Sequence, residues 1–316
     1  MGSSTTQRIM LNNYLNYSGS KDRIYPFIRK YLEEAVKGKK NKHKYLIDMF
    51  CGSAVVSFNS LDLFDTVVAI DKCKELVNLH TWIQHTSTES LLHQIDLMIK
   101  TYNLSKDNKE GFLKLREDFN KSVIDRNALN APALFCLITH SFNYQLHLNK
   151  KGEFNVPSGA GRSYFNNSLR QKLVNYKNYL DEVIKYENGA YNKQFAFTSG
   201  DAMDFVRCLK AEHFEDTVFY VDPPYSASIS KHPYRVGNIK WTEDEDRKLF
   251  DCLDYIDKNK GRFIFSNVLQ NNGVQNIPLK TWAEKYKVNP IEVDYTFCSY
   301  QRKNNGKTDE VLITNF

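Results

Sequence analysis

A carboxylate, two prolines and an aromatic ring stand in a row at Asp222-Pro223-Pro224-Tyr225, directly after the apolar run Phe219-Tyr220-Val221. The run reads as the core of a buried strand. Neither proline has an N–H to carry a ladder onward, so the strand must stop there. The prolines fix their own φ and push Asp222 towards extended geometry. The product is a stiff turn that presents a carboxylate and a ring at the carboxyl end of a strand, where open α/β sheets bind ligands. An ordinary strand-ending turn would look the same in isolation, so the weight falls on what accompanies it.

Three more acids close apolar runs. Leu46 to Ser57 (LIDMFCGSAVVS) reads as a strand ending at Asp48 or Phe50 that passes through Gly52 and Ser53 into a helix. Small residues there let backbone N–H groups and a helix N-terminus come close to a ligand. About twenty residues on, Asp71 ends the next strand, at the position where nucleotide-binding α/β folds accept hydrogen bonds from ribose hydroxyls. Asp201 follows Ser199-Gly200 and either accepts from an exocyclic amine or caps the helix starting at Ala202. A single glycine is a weak signal, but Asp48, Asp71, Asp201 and Asp222 at four strand ends line one rim.

The elements that must position these acids are short runs rich in β-branched and aromatic residues: 45–49, 66–70, 195–198, 217–221, 262–265, 291–297 and 310–314. Helical periodicity lies between many of them, as over 243–257, so both ends of the chain read as βαβ units. From about 86 to 185 the pattern is helical, including 108–121, with a Gly/Asn-rich stretch at 149–168 and no buried strand. An α/β domain interrupted by a mostly helical insert accounts for both halves.

With 41% hydrophobic and 25% charged residues among 316, the composition is that of a globular protein. No apolar run reaches bilayer-spanning length and no cleavable leader opens the chain, so a soluble, cytoplasmic protein is expected. Residues 1–9 read as a leader outside the fold, with Met10 a plausible start. Six scattered cysteines form no CxxC pair, which points to reduced thiols and no metal. The net charge of +6 permits a polyanionic partner. Residues 140–178 carry six Lys/Arg (Lys150, Lys151, Arg162, Arg170, Lys172, Lys177) against the single acid Glu153, interleaved with Phe142, Tyr144, Phe154, Tyr164, Phe165 and Tyr176. That mixture suits phosphate neutralisation with aromatic wedges, or equally a solvated basic face over core aromatics.

NYSGSK (16–21), DMFCGS (48–53), Asp71, Asp201, DPPY (222–225), FSNV (265–268) and the closing TDEVLITNF occur in this order. With FLKLREDFNKS (112–122), KKGEFNVPSG (150–159) and KWTEDED (240–246), they resemble the DNA adenine-N6 methyltransferases of the Dam family (D12 class, alpha group). The likeness is closest to the T-even phage branch and covers nearly the whole chain after residue 9. It implies an α/β, Rossmann-like S-adenosylmethionine-dependent methyltransferase with a seven-stranded mixed sheet. The catalytic part would comprise residues 10–85 and 190–316, and residues 86–189 would form a mostly helical target-recognition insert with a β-hairpin.

The resemblance also implies roles. Tyr17 and Lys21 would hold the methionine end of S-adenosylmethionine near Asp48, Phe50, Gly52 and Ser53. Asp71 would take the ribose and Asp201 the adenine. Asp222, shared with the cofactor site, and the carbonyl of Pro223 would accept the two N–H bonds of a target amine. Its lone pair, otherwise delocalised into the ring, would then be free to attack. Pro224 would stiffen the turn, and Tyr225 would face a base that has left the duplex stack. Double-stranded DNA is the implied partner, with Asn16, Phe142, Asn143, Gln145, His147, Pro157 and Arg162 touching it. Within these, Phe142 would intercalate, and Asn143 and Pro157 would lie near the target.

Two departures from the family's pattern matter. Ser53 replaces a usual second glycine and is small enough for the turn. His147 stands where members that modify GATC have an arginine, and Gln145 where an apolar residue is usual, so a site other than GATC is expected, with Arg162 the next candidate to read guanine. The same turn chemistry would serve methylation of cytosine N4 or of RNA, and a catalytically silent DNA-binding subunit is the alternative of another class. A cognate restriction endonuclease is a candidate partner.

Overall fold

The computed structural model describes residues 10–17, 19–37, 44–124, 130–187, 190–225, 235–236, 239–271, 273–291 and 308–316. The leader at 1–9, Cys298 and most of the strand expected at 291–297 lie outside them. Strand β1 (Tyr45–Asp48) leads through a tight turn into helix α2 (Val55–Asn59) and on to β2 (Thr66–Asp71). Helix α1 (Tyr25–Val36) precedes β1, and α3 (Lys74–His85) follows β2. Four further helices come next: α4 (Thr88–Thr101), α5 (Lys109–Ile124), α6 (Ala131–His140) and α7 (Asn167–Val183). A small ribbon, β3 (Tyr186–Glu187) with β4 (Ala190–Tyr191), returns the chain to β5 (Gln194–Ser199).

The second half holds α8 (Ala202–Cys208), α9 (Ala211–Phe214), β6 (Thr217–Val221), a short ribbon of β7 (Arg235–Val236) with β8 (Ile239–Lys240), and α10 (Glu243–Lys258). It ends with β9 (Arg262–Asn271), β10 (Val274–Gln275), α11 (Ile277–Ala283), β11 (Lys287–Pro290) and β12 (Thr308–Thr314).

Seven strands run in the order β11-β12-β9-β6-β1-β2-β5, and β10 adds a hairpin to β9. The five from β9 to β5 are mutually parallel, while β12 is antiparallel to both neighbours. The chain winds from β1 outward through β2 to β5, then crosses to β6 on the other side of β1. The switch point therefore lies between β1 and β6, where a crevice opens at the carboxyl ends. This is the expected mixed, Rossmann-like sheet, with its edge strand at Lys287–Pro290.

Each central strand feeds two cores with a period of two, as a pleated strand covered on both faces must. Leu46, Val67, Ala69, Val218, Tyr220, Ile264 and Leu312 face one hydrophobic cluster. Ile47, Ile70, Phe219, Val221, Phe263, Phe265, Val311 and Ile313 face the other, with residues of α8, α10 and α11. The first cluster also takes in Leu91, Ile95, Phe112, Leu134, Leu137, Leu169 and Leu173 from α4 to α7. The helical middle of the chain thus shares its core with one face of the sheet.

Candidate active site

The strand order sets the acids along the rim in the sequence Asp201, Asp71, Asp48, Asp222. With strands about 4.8 Å apart, that stretch is roughly 14 Å long. Between β1 and α2 the chain turns with Gly52 at φ 45° and Ala54 at φ 58°. A Cβ on Gly52 would point towards Tyr17, 3.6 Å from its Cε1. Side-chain contacts help to hold this turn in place. The Gly52 amide donates to Asp71 Oδ2 at 3.1 Å, and Ser53 Oγ lies 3.1 Å from Ser20 Oγ in the 16–21 segment. Asp71 Oδ1 accepts from the Cys73 amide at 2.8 Å. Burial pushes the Asp71 carboxyl up, against the pull of these two amides.

Asp48 is 1% exposed. Its Oδ2 accepts from Ser57 Oγ at 2.5 Å, and its Oδ1 has no hydrogen-bond partner among the described residues. Burial first, and then the charges of Asp222 and Asp71, push its carboxyl up to about 7. Asp201 takes the capping role, and its second oxygen meets a lysine. Oδ1 caps α8 by accepting from the Met203 amide at 2.8 Å, while Oδ2 pairs with Lys72 Nζ at 2.8 Å. Burial raises its carboxyl, but Lys72 and the capping amides outweigh burial and leave it lowered. Phe50 meets Trp241 edge to face at 5.3 Å, and the Trp241 indole N–H donates to Asp246 Oδ1 at 2.7 Å.

At the end of β6 the Lys21 ammonium sits 3.0 Å from Asp222 Oδ1, 3.1 Å from Glu310 Oε1 and 3.2 Å from the Tyr225 hydroxyl. Lys21, Asp222 and Glu310 are 6%, 18% and 5% exposed at the side chain. Burial would lower the Lys21 ammonium, but Asp222, Tyr225 and Glu310 together hold it well above its ordinary value. Burial lifts Asp222 to about 6 against the pull of Lys21. Tyr225 is raised by burial, so its ring carries a neutral hydroxyl. The Tyr220 hydroxyl and Ser266 Oγ, both buried, have no partner among the described residues.

A turn that holds a buried carboxylate beside an aromatic ring, at the switch point of such a sheet, can present acceptors to an amine. The sequence profile of D12 class N6 adenine-specific DNA methyltransferase matches residues 17–297. The chain belongs to this family. It is 32% identical over 311 residues to the Type II methyltransferase M.FokI of Planomicrobium okeanokoites, covering 96% of this chain and 42% of that protein. It is 29% identical over 273 residues to the modification methylase StsI of Streptococcus sanguinis, covering 85% and 38%. A DNA adenine methylase of Vibrio cholerae is 25% identical over 252 residues, 78% of each chain. The chain thus spans about two-fifths of the length of the first two relatives. None of these three comes from a T-even phage.

In this D12 chain the segment 141–158 folds back on itself. Its arms meet at two isolated antiparallel bridges, Ser141 with Ser158 and Leu148 with Phe154, rather than along a continuous ladder. Gly159 is required where the arms close, because a Cβ there would lie 2.5 Å from the Ser141 carbonyl. The Phe142 amide donates to the Pro157 carbonyl at 2.9 Å. Asn143 and Tyr144 both take positive φ, 54° and 56°, which is costly for a tyrosine. This bend leaves Phe142 37% exposed beneath the Arg162 guanidinium, 5.6 Å from the ring centroid. Asn143, Gln145, Pro157 and Arg162 are exposed beside it. His147 Nδ1 lies 2.6 Å from Asn155 Oδ1. Asn16 (φ 50°) accepts from Lys172 Nζ at 2.6 Å.

The basic and aromatic mixture resolves into two kinds. Phe154, Phe165 and Tyr176 are core, and Lys177 is buried and donates to the Gln84 carbonyl at 2.8 Å. Arg170 pairs with Asp96. Lys150, Lys151, Arg162, Phe142 and Tyr164 remain exposed. Four residues at the rim carry no role in the sequence reading: Glu310, Lys72, Trp241 and His80. His80 is buried, bridges the Tyr14 hydroxyl to the Gly52 carbonyl (2.7 Å from Nε2), and is pushed down to about 4 by burial. For Glu310 a signal existed, a lone acid in the apolar strand EVLIT. Among the described residues no helix is long and apolar enough to cross a membrane, and no three His, Cys, Asp or Glu side chains group as a metal site.

Proposed function

We propose that this chain transfers the methyl group of S-adenosylmethionine to the exocyclic N6 amine of an adenine flipped out of duplex DNA. The observation that carries the reading is the Asp222-Pro-Pro-Tyr225 turn at the switch point, with Lys21 on one oxygen of its carboxylate. Oδ2 of Asp222 and the carbonyl of Pro223 then accept the two N–H bonds of the amine and draw its nitrogen towards tetrahedral geometry. Because Asp222 titrates near 6, it is ionised at neutral pH and still able to take up a proton. Tyr225 supplies a neutral ring for the base to stack on, and its hydroxyl is held by Lys21.

The rim suits the cofactor. S-adenosylmethionine, when bound, supplies an electrophilic methyl on a sulfonium. The chain offers an extended groove of the right order of length, a glycine turn that admits close approach, and the orphaned, buried Asp48 Oδ1 for a cationic or donor group. Asp201 and Asp71 would hold the adenine and ribose. Tyr17, Lys21, Asp48, Phe50, Gly52 and Ser53 would surround the methionine end, with Lys21 acting chiefly through Asp222. Residues 10–85 and 190–316 would form the catalytic part, and 86–189 the target-recognition part.

The exposed edge of the 141–158 fold would be the surface for DNA, with Asn16, held by Lys172 of α7, a further contact. Lys150 and Lys151 at the tip would meet phosphates, and Phe142 would wedge into the stack with Asn143 and Pro157 near the target. His147 spends one ring nitrogen on Asn155, so at most one is left for a base, and the two-pronged guanine contact of an arginine is absent. Gln145 presents the amide that pairs with adenine. We therefore expect a site other than GATC. The relative StsI bears the name of a modification methylase and M.FokI that of a Type II methyltransferase, which makes a restriction endonuclease in the same bacterial or phage-infected cytoplasm the partner to seek.

The test is Asp222→Ala. Methyl incorporation from labelled cofactor into DNA should fall below a few per cent of wild type, with duplex affinity retained. A variant keeping most of its rate would remove Asp222 from the chemistry. Mass spectrometry of nucleosides from treated DNA and RNA should show N6-methyladenine in DNA alone.

A further inference from the structure

Lys21 needs one carboxylate to be neutralised, and it has two. With Asp222 alone the buried pair would carry no net charge; Glu310 leaves the group at net −1 before the neighbouring Asp48 is counted. Taking an extra carboxylate out of water is costly, so stability does not account for Glu310. Pairing of β12 with β9 shifts register between Asp309 and Glu310, where Leu269 of β9 is skipped, the kind of irregularity found beside sites. From there Glu310, 289 residues from Lys21 in sequence, reaches the ammonium at 3.1 Å.

We propose that Glu310 is a positioning residue of the catalytic turn, fixing the Lys21 ammonium between Asp222 and Tyr225 and limiting its hold on Asp222. This rests on the methyl-transfer reading above. An ammonium has three donors, and Asp222, Glu310 and the Tyr225 hydroxyl lie around it in hydrogen-bond range. Remove the charge on Glu310 and the ammonium settles on Asp222. That carboxylate then accepts less from an amine and binds a proton less readily. The groups facing Asp222 are Lys21 ahead of α1, Glu310 on β12, Tyr220 on β6, Asp48 on β1 and Tyr225 in its own turn. Of these, Glu310 opposes the pull of Lys21.

The size of the effect follows from geometry. Each carboxylate oxygen lies near the same nitrogen, so the two are no more than about 6 Å apart. At that distance loss of one negative charge lowers the other acid by roughly half a pH unit even at the dielectric of water, and by more in a buried site.

Glu310→Gln keeps the shape and an acceptor oxygen while removing the charge. Its kcat is expected to fall about ten- to a hundredfold, with KM for DNA and cofactor each within about threefold. The acid limb of its kcat profile, near pH 6 in wild type, should move down by at least half a unit. Glu310→Asp keeps the charge and should restore the limb while remaining slow. A wild-type kcat in Glu310→Gln, or a slow enzyme whose limb has not moved, would overturn the proposal. Should Glu310→Gln not fold, Glu310→Asp decides: slow with an unmoved limb supports the role, and wild-type speed removes it. Carbon-13 NMR titration of the Asp222 carboxyl in wild type and Glu310→Gln separates this from the functional reading. The midpoint should fall in the variant even if wild type proved to methylate something other than DNA, and equal midpoints would refute the role.

Discussion

Asparagine in place of Asp48 keeps the side chain's shape and can still accept from Ser57, but it removes a carboxylate that burial holds up at about 7 against an ordinary 3.8. Because the folded value lies above the unfolded one, the native state keeps its proton while the unfolded state loses it. Stability therefore falls as pH rises from about 4 to about 7 and is level beyond. Roughly three pH units correspond to about 4 kcal/mol in all, of which about 2 kcal/mol lies between pH 5.5 and pH 8. Asp48→Asn abolishes that loss. The stability difference between variant and wild type should grow by about 2 kcal/mol in the variant's favour from pH 5.5 to pH 8. Urea unfolding of both proteins at both pH values measures it, and the contribution of Asp222, pushed up to about 6 in wild type, is common to both at first order. Calorimetry of S-adenosylmethionine should show the opposite sign, weaker binding by about 1.5–3 kcal/mol, if Oδ1 serves the ligand. Stability profiles that run parallel with pH would refute the reasoning, because they would mean that burial does not hold the proton on Asp48.

Asp71→Ala should weaken S-adenosylmethionine by about 1–3 kcal/mol in calorimetry, since it removes a charged acceptor and the anchor of the Gly52 amide; unchanged affinity would mean the rim does not hold the ribose. His147→Arg should shift preference towards guanine at one position by roughly tenfold to a hundredfold, compared on matched duplexes at fixed salt. If wild type prefers GATC by a wide margin, His147 does not stand in for an arginine and Arg162 becomes the reader to test.

Much of the scaffold was legible because strand formation and termination are local. Thr217–Val221 is apolar on alternate and intervening positions alike, as a doubly covered strand must be, and Pro223 and Pro224 end it. The four rim acids were legible for the same reason, since each stands at or just after the end of an apolar run. Their order along the rim was not, because pairing β1 with both β2 and β6 is a choice among crossovers that no local pattern dictates. The aromatic count in 140–178 could not separate the exposed Phe142 from the buried Phe154, Phe165 and Tyr176. Composition is the same whichever way a ring points.

What the amino-acid sequence determined by itself is the set of chemical groups and the strand ends that carry them: Asp222 on a proline-stiffened turn, Asp71 and Asp201 after their strands, Gly52 in a sharp turn. What only the tertiary structure decided is which of them share a charge. Lys21 meets Asp222, Tyr225 and Glu310 because a long-range antiparallel strand, with one shift of register, delivers Glu310 to the rim. Electrostatic coupling depends on distance through space and on how much water is excluded. Neither quantity exists until the sheet has closed over residues that are far apart in the chain.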